Sequence, residues 1–326
     1  MGALSTLFAG IGNRASVILA LSLPLCAFLP SKISEVLLPY MGGIIIGLIT
    51  VAMIRVDLSR VLGHLKSPIA LLVVLVALML VFPLGVDLVA RHFSLDTTIH
   101  IALVLVACAP PLGSAPNLAY LLKLDGELVF NITLAGTVII PLTAPFIIGM
   151  TLGDQMAFDQ WALFQKLLIT VGSSFLIAVI VRKMLGRERI KRSGLQLDGI
   201  STVIMVVFVA TAMAGVSVTI ENDPVYMVFL FAIAVVSNFG AQFLFSVLGL
   251  LVRSMVGRFS SSRGIKVESV LSFAMVAGNR NLGLVAAVIP IVFLQEILPF
   301  LALYQIPIYL TPLIGGLFYG YVLKRR

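Results

Sequence analysis

The sequence predicts an all-α integral membrane protein: ten transmembrane helices in two inverted five-helix repeats, with helices 4 and 9 broken and crossing at the midplane. Three observations carry that expectation. First, 60% of the 326 residues are hydrophobic and 11% are charged, against roughly 45–50% and 25% in soluble domains. Second, two apolar stretches are interrupted partway by polar segments rich in Gly and Pro. Third, the basic residues segregate between alternate connections.

The charges cluster between apolar runs, which read as spans at 15–30, 36–54, 67–86, 98–122, 129–150, 161–181, 200–220, 225–252, 268–293 and 297–323, each long enough to cross a hydrocarbon core of about 30 Å. Arg14 and the apolar run to Leu29 also have the form of a secretory signal. They lack a small-x-small cleavage site, and Leu25 fits poorly before Cys26 for a lipoprotein signal, so a first span is the preferred reading.

Span four runs from Ile101 to Ala109 and then meets Pro110-Pro111-Leu112-Gly113-Ser114-Ala115-Pro116-Asn117. Span nine runs from Ser269 to Ala277 and then meets Gly278-Asn279-Arg280-Asn281-Leu282-Gly283. At a rise of about 1.5 Å per residue, each approach run covers about 14 Å, close to half of the hydrocarbon core. Opened backbone at that depth survives only where protein or a water-filled cavity satisfies it, as at the sites of secondary carriers.

The net charge of +8 reports orientation and does not point to nucleic acid. With the N-terminus in the cytoplasm, the inside segments hold Arg14; Arg55, Arg60 and Lys66; Lys123; the run from Arg182 to Arg192; Arg253 to Lys266; and Lys324 to Arg326. Only Lys32, Arg91 and Lys166 fall outside, and Arg280 lies within a span. This bias places both termini in the cytoplasm of a cell in whose inner membrane the chain is multi-pass. The run from Arg182 to Asp198 reads as a surface loop or an amphipathic segment on anionic lipid.

With breaks in spans four and nine, the chain divides into repeats at 1–152 and 153–326. An odd number of spans per repeat inverts the second against the first. Cys26 and Cys108 lie in apolar runs and read as core residues; His64 and His92 fall in loops and His100 at a span entrance, so no metal cluster is expected. Nucleotide-binding, hydrolytic and redox motifs are absent, and the chain is not expected to be an enzyme.

Cys108-Ala109-Pro110 through Tyr120-Leu121, Leu124-Asp125-Gly126-Glu127, Thr133 to Pro141 with Pro145, and Gly278 to Leu284 resemble the bile acid:sodium symporter family, nearly throughout the chain and in order. Its superfamily also holds arsenite, riboflavin and auxin carriers. The resemblance implies a core domain of helices 3–5 and 8–10, a panel domain of helices 1, 2, 6 and 7, and organic-anion transport by movement of one against the other. The family's sodium sites use a span-three Gln, a Ser-Asn pair after the first break, a Ser and a Thr on span five, and a Glu with a nearby Gln on span nine. Here those positions read Leu78, Ala115 and Pro116, Val129 and Thr133, and Val276 and Arg280. Thr133 is the only side chain left that resembles a sodium ligand, and a hard cation needs several oxygens, so no cofactor is expected and sodium coupling is doubtful.

Arg280 lies about 18 Å along an ideal helix from Glu268, and no acidic residue falls deep in a span. Three roles compete. It is the counter-ion of a substrate carboxylate or sulfate, a fixed replacement for the sodium charge bonded to opened carbonyls, or a side chain that snorkels to a surface or pairs with a rim carboxylate. The other candidate substrate contacts are Asn279, Asn281, Ser114, Asn117, Asn131, Thr133, Thr137 and Asn238, with helix capping or interhelical bonding as their alternative. Pro110, Pro111 and Pro116 open backbone hydrogen bonds at the crossover, while Gly113, Gly278 and Gly283 permit close approach.

The expected function is a secondary active or facilitative transporter of a small or amphipathic organic anion by alternating access, with weakened or absent sodium coupling and Arg280 supplying positive charge at the crossing. A symporter using other sodium ligands, and a non-transporting membrane receptor or structural protein of the same fold, are the alternatives. The expected partners are the substrate anion and the lipid bilayer.

Overall fold

The computed structural model describes residues 3–55, 68–153, 159–213, 216–259 and 265–324. Arg60, His64, Lys66, Arg263, Arg325 and Arg326, placed above in connections or at a terminus, lie outside the described residues. All regular elements among the described residues are helices, and the one bridge joins Pro111 to Arg280. Among the described residues, seven helices are long and apolar enough to cross a membrane, or eight when the bent pair at the N-terminus counts as one span. The chain is therefore an all-α, multi-pass membrane protein. It forms two compact units of interleaved segments: Met1–His64, Trp161–Met227 and Gly283–Ala302 in one, and Leu65–Gln160, Val228–Leu282 and Leu303–Arg326 in the other.

In the first unit, Ala3–Asn13 precedes the first expected span and bends by 76° into Ala15–Ala27. It packs along Gly194–Ala212, where a β-carbon at Gly12 would strike the Leu195 carbonyl and one at Gly199 would strike the Phe8 carbonyl. Small residues allow that approach, as at close helix crossings in bilayers. Ser31–Ile54 carries a short 3-10 turn at Leu38–Tyr40 and binds Gln160–Leu185 through polar groups: Ser174 Oγ donates to Ile46 O at 3.3 Å, and Thr50 Oγ1 to Ser174 O at 3.4 Å.

The expected span 200–220 is two helices, Gly194–Ala212 and Val216–Asn222. The basic connection is helical, with Gly186 in a left-handed conformation (φ +74°) ending one helix before Arg187–Arg192 begins.

In the second unit, Pro68–His92 and Thr97–Cys108 form a hairpin, and His92 closes the first helix where a loop is expected. His100 is buried, with Nε2 2.8 Å from Asp87 Oδ1, and Arg91 Nε also donates to Asp87 at 3.0 Å. Span four is indeed broken, into Thr97–Cys108 and Ala115–Leu121. Gly126–Leu152 follows, N-capped by the Asp125 carboxylate on Leu128 N; Ser269 Oγ donates to the other Asp125 oxygen, and Asp125 N donates to Ser272 Oγ.

Span nine is broken into Val267–Gly278 and Leu282–Ala286. It ends short of the expected residue 293 because Pro290 starts a new helix, Ile291–Lys324, whose Leu294 N–H already bonds Pro290 O.

Candidate functional site

The two breaks meet inside the second unit. Leu112 N donates to Asn279 O at 2.9 Å and Asn281 N to Pro110 O at 2.8 Å, forming an antiparallel bridge around Pro111 and Arg280. Each interrupted helix thus recovers backbone hydrogen bonds from the other, which the low-dielectric interior requires. Gly136, on Gly126–Leu152, permits this packing, since a β-carbon there would lie 3.1 Å from the Pro111 ring.

Arg280 closes the arrangement. Its side chain is wholly buried, and Nε donates to Ala277 O at 2.9 Å, Nη1 to Ala109 O at 3.0 Å and Nη2 to Leu78 O at 3.3 Å. The guanidinium carbon lies 5.1 Å from the centre of the Phe82 ring, which stacks edge-on with Phe245 as Phe245 does with Phe273. No carboxylate among the described residues is in ion-pair range of Arg280. All three acceptors are backbone carbonyls. The guanidinium has no exposed surface.

The Leu78 acceptor has a local cause. Residues Ala77–Val81 form a π-helical turn, in which the Phe82 N–H bonds Ala77 O instead of Leu78 O. The next backbone nitrogen belongs to Pro83 and has no hydrogen to donate. The Leu78 carbonyl is therefore without a donor from its own helix, and Arg280 supplies one.

The rest of the second break is held by a buried polar cluster. Asn238 Nδ2 donates to Gly278 O at 2.7 Å, and the Tyr304 hydroxyl donates to the same oxygen at 3.1 Å. Gln242 Nε2 donates to Asn238 Oδ1 at 2.7 Å and to Thr311 Oγ1 at 3.3 Å, while Tyr319 donates to Gln242 Oε1 at 2.8 Å. Asn279 Nδ2 turns back to Met275 O at 2.8 Å, capping the helix it follows, and its Oδ1 accepts from Thr311 at 3.0 Å. Gly278 is required here, because a β-carbon would strike the Asn238 carbonyl.

The expected contact residues fall into two groups. Arg280, Asn279, Asn238, Thr133 and Thr137 are buried. Ser114 and Asn117 are exposed, and Asn131 and Asn281 are half-buried. Ser114 sits at the N-cap of Ala115–Leu121, yet its side chain makes no capping bond. Thr137 Oγ1 bonds Thr133 O within its own helix at 2.8 Å, where an interhelical bond or a substrate contact is expected. The Thr133 hydroxyl is buried without a hydrogen-bond partner.

Among the crossover residues, Pro110 and Pro111 are buried in the bridge and Pro116 lies in the first turn of its helix. Gly113 faces open space, which removes the close-approach reading for it, and Gly283 abuts the Ile45 and Phe208 side chains of the first unit. The Leu78 carbonyl is the site group that sequence reasoning misses. Pro83 inside an apolar run is the signal that would have found it. No group of His, Cys, Asp or Glu able to hold a metal occurs among the described residues.

A multi-pass helical membrane protein with two interrupted helices bonded to each other at their breaks is of the carrier class. The sodium bile acid symporter family profile matches residues 43–222, more than half of the chain, and the chain belongs to that family. The match includes the first break and ends before the second. A search of curated proteins finds no match. The protein is thus a membrane transporter of the symporter family's kind.

Proposed function

We propose that this protein carries a small or amphipathic organic anion by alternating access, without sodium coupling, and that Arg280 is the built-in cation of the crossing. The observation that carries the reading is the wholly buried guanidinium bonded to carbonyls of Leu78, Ala109 and Ala277. An arginine at mid-membrane costs about 2.5–3.5 kcal/mol on insertion scales. Hydrogen bonds to a charged group contribute roughly 1.5–3 kcal/mol each, so three of them offset that cost and keep the charge in place. Carbonyls of this kind are the oxygens that a bound cation takes, and here a protein donor occupies them.

No carboxylate among the described residues pairs with the charge, so it attracts an anion through the low-dielectric interior without touching it. The more accessible of the expected contact residues, Ser114, Asn117, Asn131 and Asn281, are the proposed substrate contacts. The proposed architecture has ten spans: the seven long helices, the bent N-terminal pair, and the two broken segments taken as one span each. In it, inverted repeats at 1–152 and 153–326 supply a core of helices 3–5 and 8–10 and a panel of helices 1, 2, 6 and 7. Both termini lie in the cytoplasm, and the membrane is the inner membrane.

Uptake of labelled organic anions into proteoliposomes tests the reading, with equal sodium or potassium outside and an imposed membrane potential. Equal saturable uptake in both salts is expected. Acceleration by a sodium gradient overturns the uncoupled reading, and no accumulation or exchange across carboxylates and sulfonates overturns the carrier reading. One observation favours a second reading, a symporter with altered sodium ligands: the buried Thr133 hydroxyl has no partner. Sodium-driven uptake lost in Thr133→Val is the outcome that would select it.

A further inference from the structure

The helix Gln160–Leu185 leads into a structure that the transport reading does not use. Gln160–Leu185 carries an exposed apolar stripe of Ile177, Ile180 and Met184, the last 79% exposed. At Gly186 the chain turns, and Arg187–Arg192 runs on as a six-residue helix. Its Ile190 side chain is buried in a cluster with Val51, Ile54, Ala178 and Leu197. The arm is therefore fastened to three helices, and its basic residues are exposed.

Three further contacts hold the same corner: Arg182 Nη1 donates to Ile54 O at 2.8 Å, Arg55 Nη1 pairs with Asp198 at 2.8 Å, and Arg55 Nη2 donates to Gly194 O at 3.3 Å. Lys183, Arg187, Arg189, Lys191 and Arg192 are exposed. Glu188 is the one acid on the arm, 3.6 Å from Lys191.

We infer that this arm is a binding surface for anionic phospholipid, taking the phosphate-bearing headgroups on the basic helix and the upper acyl chains against the Ile177, Ile180 and Met184 stripe. The apolar stripe decides among anionic partners. A soluble phosphate or a nucleic acid would use the cations and leave that stripe unmatched, whereas a lipid presents charge and hydrocarbon in the same order along the bilayer normal. The burial of Ile190 adds the second feature of a built surface, since it fixes the arm against Ser31–Ile54, Gln160–Leu185 and Gly194–Ala212. This inference is independent of which solute is carried.

The test uses the full chain in nanodiscs of phosphatidylcholine with and without phosphatidylglycerol, reading the melting temperature and the lipids retained in native mass spectrometry. Phosphatidylglycerol is expected to raise the melting temperature and to be retained in preference to phosphatidylcholine, both effects shrinking as salt is added. The R187Q/R189Q/K191Q/R192Q variant should melt as the wild type does in phosphatidylcholine and lose at least about tenfold in apparent affinity for phosphatidylglycerol. R189Q/K191Q should lose part of it, which keeps the test open if the fourfold variant does not fold.

No stabilisation of the wild type by phosphatidylglycerol overturns the proposal, as does a fourfold variant that retains it. An equal rise from inorganic phosphate in phosphatidylcholine discs also overturns it, by showing a site for a free anion.

Discussion

The two breaks perform opposite tasks with the same backbone device. The first is made of prolines and leads outward: Pro110 and Pro111 are buried, but Leu112 is half-buried and Gly113 and Ser114 are exposed. The second leads inward: from Ala277 to Arg280 every residue is buried, and the side chains of Asn279 and Arg280 are consumed in hydrogen bonds. Proline opens hydrogen bonds by withholding a donor, so the first break presents acceptors. Arg280, from the second break, answers with a donor to Ala109 O. Charge is therefore placed where solvent does not reach, and reachable polar groups where no charge is buried.

The sharpest way to break that comparison is to remove the donor. Arg280→Met leaves the carbonyls of Leu78, Ala109 and Ala277 without their partner, and each unsatisfied buried acceptor costs about 1–3 kcal/mol. A loss of at least about 3 kcal/mol and of measurable uptake is expected, from detergent unfolding curves and the proteoliposome assay. Arg280→Lys keeps the charge but lacks the planar fork that reaches three separate oxygens, so it should recover only part of the stability. A fully stable Arg280→Met would place the weight of the crossing elsewhere.

Next in size is the clamp on the second break. Asn238→Leu removes a donor to Gly278 O and an acceptor for Gln242, and should cost about 2–3 kcal/mol, within the range for breaking a buried polar network. Gly278→Ala should cost about 1–3 kcal/mol by overpacking against the Asn238 carbonyl. The first break is expected to tolerate the equivalent insult: Gly113→Ala meets open space and should stay within about 0.5 kcal/mol of wild type. Equal losses at the two glycines would erase the asymmetry.

Composition and hydropathy made the helical membrane class legible, and the Gly/Pro clusters located both interruptions. Arg280 was visible as an anomaly because a buried charge is costly enough to need a reason. Its partners were not legible, since they are backbone carbonyls, which carry no residue signature; only Pro83 marks the π turn that frees one of them. The polar cluster of Asn238, Gln242, Thr311 and Tyr319 was equally hidden, because its members lie on helices far apart in sequence and each alone reads as ordinary interhelical bonding. The helix Ala3–Asn13 escaped notice because its fit to Gly194–Ala212 depends on a reciprocal glycine contact between distant segments.

Substitutions at the accessible side of the first break should act on transport and leave folding alone. Ser114→Ala and Asn117→Ala remove exposed side chains, and that of Ser114 makes no capping bond, so stability should change by no more than about 0.5 kcal/mol. Uptake should show a raised KM if these groups bind the anion, and unchanged kinetics in both would remove them from the substrate path.

Thr133→Val should cost no stability. It replaces a buried hydroxyl that has no partner by a methyl group of nearly the same shape, and relieving an unsatisfied polar atom is neutral or stabilising by up to about 1 kcal/mol. The Thr137 bond to the Thr133 carbonyl uses backbone and survives the change. A destabilised Thr133→Val, or one whose melting temperature loses a dependence on sodium that the wild type possesses, would mean that the hydroxyl serves an ion after all. The built-in charge of the second break would then work alongside a mobile one.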